Sequence, residues 1–195
     1  RLIEACHRRA IHVYAWIEFP HVSQKFWDDH PEWREKTAIG QDAHLDWRKP
    51  MNLANRQCAA EVEAGLRSLA ARFDWDGVNL GELYFESLEG YLNPGRFTPF
   101  NAEVRAAFQQ QHGFDPREMY DAQSKRHHER DARPMRLFLD FRAALAGRLQ
   151  EEWLARLESL RAAKPWLHLT LTHIDDRFDA SMRDSLGADA ARLLP

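Results

Sequence analysis

The stretch Phe73-Asp74-Trp75-Asp76-Gly77-Val78-Asn79-Leu80-Gly81-Glu82-Leu83-Tyr84-Phe85-Glu86 decides the fold class of this chain. Asp74 to Gly77 reads as a turn that releases a short apolar strand, Val78 to Leu80. The strand ends among carboxylates and aromatic rings, at Glu82, Tyr84 and Glu86. A helical pattern precedes it and another follows it. In a (β/α) barrel, the ends of such strands are where chemistry is placed.

Two further strands have the same ending. In Ile11 to Phe19, the set Ile11, Val13, Ala15 and Ile17 alternates with His12, Tyr14, Trp16 and Glu18. In Trp166 to Thr172, Leu167, Leu169 and Leu171 alternate with His168, Thr170 and Thr172, and His173, Asp175, Asp176 and Arg177 follow. Period-two alternation puts each set on its own face. The apolar faces suit packing by helices, and the polar and aromatic faces suit a barrel interior.

Between the strands the apolar spacing is helical. Arg56 to Phe73 carries Cys58, Val62, Leu66, Leu69 and Phe73 on one stripe, with Asn55 as its cap. Asn101 to His112 forms a shorter helix ended by Gly113. Pro134 opens the longest, to about Ala163, along Leu137, Phe141, Leu145, Leu149, Trp153, Leu157 and Leu160. Residues 123–133 are highly charged, and His127-His128-Glu129 within them reads as a solvated helix face. Strands joined only through helices imply a parallel sheet. The fold expected is therefore α/β, part of a (β/α)8 TIM-type barrel with strands near 11–19, 77–83 and 166–173. Three strands fall short of the eight of a barrel of about 250 residues. Residues 1–195 read as a single domain from the middle of a longer barrel, because the chain opens at Arg1 inside an amphipathic pattern. An open three-layer α/β sheet is the alternative.

Composition narrows the functions. The chain has 195 residues, 44% hydrophobic and 29% charged, enough for a real core. A net charge of -3 argues against a nucleic-acid binder. No apolar run reaches the length of a membrane span. Seven Trp and eleven Phe exceed ordinary core needs and fit a cleft for carbohydrate or another flat ligand. Cys6 and Cys58 fall on helix stripes and read as buried thiols. The long connection Pro20 to Ala54 holds Trp27, Trp33 and Trp47, either a substrate wall or a small core beneath the loop. Its His21, Asp28, Asp29, His30, His44 and Asp46 match no zinc spacing, so no metal or other cofactor is expected.

Four short motifs carry a family resemblance. They are Tyr14-Ala15-Trp16, His30-Pro31-Glu32-Trp33, Met51-Asn52-Leu53-Ala54-Asn55 ahead of a helix, and Asp76-Gly77-Val78 opening a strand. Together they resemble the glycosyl-hydrolase-like family 10 group, bacterial (β/α)8 proteins related to glycoside hydrolases. The resemblance covers roughly residues 1–100 and implies an exported protein, periplasmic or extracellular. The family reads a pair of acids and a Tyr after Asp-Gly-Ile and two further residues. Here Gly81 stands where the first acid is expected, Glu82 matches the second, and Tyr84 follows.

Cleaving a glycosidic bond takes two carboxyl groups, one of them protonated near neutral pH. Glu82 and Asp175 form the first expected pair, with Glu18 next. Tyr14, Trp16, Asn79, Tyr84, Glu86, His173 and Asp176 are the candidate substrate contacts. The expected partner is an oligosaccharide or polysaccharide; oligomeric state is not readable. Two alternatives are a carbohydrate-binding barrel without catalysis, its acid lost at Gly81, and a metal-dependent hydrolase using His12, His168, His173 and Asp175.

Overall fold

The computed structural model describes residues 1–44, 47–85, 87 and 89–193. Helix α1 (Leu2–His7) leads to strand β1 (Tyr14–Glu18). Helices α2 (Gln24–Asp29) and α3 (Arg56–Arg72) lead to β2 (Gly77–Gly81). Helices α4 (Ala102–His112) and α5 (Ala132–Glu158) precede β3 (His168–Thr172), and α6 (Ser181–Leu186) and α7 (Ala190–Leu193) follow.

The three strands form one sheet in the order β1-β2-β3, parallel throughout. Tyr14, Gly77 and His168 lie in one row across it. Trp16, Asn79 and Thr170 form the next row on the same face, then Glu18, Gly81 and Thr172. The opposite face carries Ala15, Ile17, Val78, Leu80, Leu169 and Leu171. These belong to the main core with α3 and α5.

The barrel expectation is overturned. The described residues form a small open sheet with two edges, not an arc of closed barrel strands. Between β2 and α5 the chain makes short turns and α4. Their Phe97, Phe100 and Phe108 pack with Phe138 and Phe141 of α5 instead of adding a strand. The face expected to line a lumen is open to solvent. Tyr14 is 38% and Trp16 53% exposed, and His168, Thr170 and Thr172 are exposed too.

Local chemistry explains the two main helices. The Asn55 side chain accepts hydrogen bonds from the backbone N–H groups of Gln57 (3.0 Å) and Cys58 (3.1 Å), capping α3. Asp131 caps α5 by accepting from Arg133 N at 3.0 Å. Pro134 therefore falls in the first turn, where no N–H is needed. Trp153 of α5 is 1% exposed and packs on Phe19, ring centroids 4.4 Å apart. Leu137, expected on the buried stripe, is 41% exposed; Phe138 takes the core position. Residues 123–131 are turns, not a helix face, and His128 packs between Tyr91 and Tyr120. Of the two free cysteines, Cys58 is buried and Cys6 only half-buried.

Arg142 is the polar keystone. It is 1% exposed and donates to the carbonyls of Thr98 (2.5 Å), Phe85 (2.9 Å), Asp184 (3.0 Å) and Ser185 (3.0 Å). One side chain thus ties the segment after β2, the loop at Thr98 and the end of α6 to α5.

Candidate functional site

In open parallel sheets, ligands bind beyond the carboxyl ends of the strands. Here that edge carries Glu18, Gly81 with Glu82, and Thr172 with His173. Residues 47–51 form a strap across it. Met51 N donates to Pro20 O (3.0 Å), Val22 N to Lys49 O (3.3 Å), and Lys49 N to His21 Nδ1 (2.9 Å). The strap therefore brings Trp47 and Arg48 to the end of β1. Trp47 is 60% exposed and meets the His21 ring edge-on at 4.9 Å. Arg48 sits 5.5 Å from the Trp47 ring and forms an ion pair with Glu82.

Glu82 follows the central strand in a left-handed conformation, φ 56°. Its N–H still bonds Thr172 O at 3.3 Å, and then the chain leaves the sheet. Its side chain is 32% exposed, that of Arg48 only 11%. The carboxylate is thus accessible while its cation is covered.

Gly81 explains itself. A Cβ there would lie 3.0 Å from Cε2 and Nε1 of Trp16. The indole occupies the space that a side chain at position 81 would need. Gly77 does the same for Tyr14, whose ring crosses β2 so that its hydroxyl reaches His168 Nδ1 at 2.6 Å.

His21 is held below the ordinary imidazole range by burial; Glu18 pulls the other way, and Arg48 and Lys49 lower it further. Neutral His21 accepts from Lys49 at Nδ1, which leaves the proton on Nε2.

The other expected residues serve different ends. Asp175 grips Arg177 through Nε (2.8 Å) and Nη2 (2.6 Å) and accepts from its backbone, which holds its carboxyl below the ordinary range. Asp176 accepts from Ala190 N at 2.7 Å, at the start of α7. Tyr84 is 7% exposed and packs with Leu186 and Ala188. Asn79 is 6% exposed and bonded to Thr170 (2.8 Å) and Thr172 (3.0 Å). Half-buried His173 lies 3.3 Å from Gln150 and is lowered by burial. Tyr14 sits at the opposite, amino end of the open face. Glu86 lies outside the described residues, as does Asp46 of the loop acids. The structure therefore gathers Glu18, Trp16 and Glu82, with Asn79 and His173 beside them, and gives Tyr14, Tyr84, Asp175 and Asp176 other contacts.

Sequence reasoning missed Arg48 and Glu35. Arg48 looks like any loop arginine until the strap is folded. Glu35 is 2% exposed, and burial pushes its carboxyl up to about 7 against the pull of Thr98 and Arg142. It lines a small cavity with His21 and Arg48, directly beneath the strap. Trp27 (6% exposed) packs inside the loop and Trp33 stacks on His30 at 4.2 Å, so only Trp47 of that group serves the rim. Among the described residues, no three His, Cys, Asp or Glu side chains are grouped to hold a metal. No helix is long and apolar enough to cross a membrane, again among the described residues. No protein-family model matches the chain, and a search of curated proteins finds no match either.

Proposed function

We propose that the carboxyl edge of the sheet is a carbohydrate site of the glycoside-hydrolase type, in line with the resemblance to glycosyl-hydrolase-like family 10. The observation that carries the reading is the exposed Trp16 indole laid across Gly81, one residue from Glu82. Trp47 adds a second exposed ring at the same edge. Flat apolar faces beside carboxylates suit a sugar, which offers C–H groups on one side and hydroxyls at its rim. Glu82, paired with Arg48, supplies the ionised carboxylate that attacks the sugar or activates water. Glu18, at the end of the adjacent strand, is the second carboxyl, which gives its proton to the leaving glycosidic oxygen and is reprotonated by the attacking water. It replaces Asp175, whose two oxygens are engaged by Arg177.

The test is binding and cleavage of cellohexaose, laminarihexaose and chitohexaose. Trp16→Ala and Trp47→Ala are expected to weaken binding about tenfold each. Glu82→Gln and Glu18→Gln should cut turnover by about 10²–10⁴-fold and leave binding largely intact. If none of the hexaoses binds, the reading fails.

A binding site without catalysis is the second reading. It is favoured by one observation: Trp16 fills the space that a side chain at position 81 would need, leaving β2 with Glu82 alone. Tight binding with no cleavage, unchanged in Glu82→Gln, would select it.

A further inference from the structure

Among the described residues, only Ala10 and Glu82 adopt positive φ without being glycine. A left-handed Glu is disfavoured by its own Cβ, so surrounding contacts must hold it there. Backbone bonds flank it, Glu82 N to Thr172 O at 3.3 Å and Tyr84 N to Glu82 O at 2.8 Å, and Arg48 holds its carboxylate. Its guanidinium reaches Glu82 from a strap whose backbone is fixed on both sides, at Val22–Lys49 and at Pro20–Met51. The strap is anchored a third time by Lys49 N on His21. Arg48 is covered and Glu82 half-exposed, so the pair opens toward solvent only on the carboxylate side.

We propose that Arg48 is a positioning residue: it holds the Glu82 carboxylate at the strand end, ready for a ligand. This rests on Glu82 acting at a saccharide site, as proposed above. Arg48 itself touches no sugar.

The variants R48K, R48Q and E82Q and the double variant R48Q/E82Q are tested on the same three hexaoses. With R48Q, kcat is expected to fall about tenfold or more while KM changes less than about threefold. R48K restores most of the loss. R48Q adds nothing in the E82Q background, because the two act as one unit. A crystal structure of R48Q, which needs no activity, should show the Glu82 carboxylate displaced. Additive losses in the double variant, or the Glu82 carboxylate unmoved in R48Q, would overturn the proposal. If the wild type binds none of the hexaoses, the saccharide reading fails while the crystal structure still decides the role of Arg48.

Discussion

The indole of Trp16 lies over Gly81, on the neighbouring strand and one row nearer the carboxyl edge. Tyr14 crowds Gly77 more tightly, from directly opposite in the same row. A Cβ on Gly77 would fall 2.2 Å from the ring and 2.8 Å from His168 O. A ring can swing aside; a backbone carbonyl in a sheet cannot. Gly77→Ala is therefore expected to destabilise the fold by about 1–3 kcal/mol, and Gly81→Ala by less. Urea unfolding of both variants checks the order, and tryptophan emission should report the displaced indole in Gly81→Ala.

Glu35 makes stability depend on pH. Its folded pKa, about 7, is raised above the ordinary 4.5 by burial. Between those values the unfolded chain has lost the proton that the folded chain keeps, so stability falls as pH rises through this window. The stability is fully present below about 4.5 and lost above about 7. Glu35→Gln should flatten the profile between these limits and raise the melting temperature at pH 8. A slope unchanged by the substitution would count against burial as its cause.

Trp153 joins the long helix to the end of β1 through Phe19. Trp153→Ala leaves a large cavity beneath the strap side of the sheet and is expected to cost about 3–5 kcal/mol. Trp153→Phe should cost much less. Chemical denaturation measures both.

Asp76 anchors the entry to the sheet. It accepts from Val13 N at 2.6 Å and lies 3.0 Å from His7 Nε2. The bond from Val13 holds its carboxyl below the ordinary range, with His7 helping. A depressed pKa contributes stability that is present above about 4 and lost as pH falls below it. Asp76→Ala should therefore be less stable than the wild type at neutral pH, and the difference should shrink in acid.

Much of the fold was legible because its signals are local. Alternation of two placed β1, β2 and β3, and the stripe ending at Phe73 with its Asn55 cap placed α3 almost to the residue. Glu18 and Glu82 could be found as acids at strand ends. Asp175 and Asp176 looked equivalent to them in sequence. What separates them is where Arg177 and the start of α7 arrive.

By itself, the sequence determined a parallel α/β arrangement, its three strands and which face of each strand is apolar, since these follow from backbone periodicity and nearest-neighbour chemistry. Only the tertiary structure decided that, among the described residues, the sheet stays open and three-stranded, because Phe97, Phe100 and Phe108 pack against α5. It alone decided that Gly81 makes room for Trp16 and that Arg48, 34 residues before Glu82, meets that carboxylate. Such encounters depend on the path of the chain between the partners, and residue spacing does not encode that path.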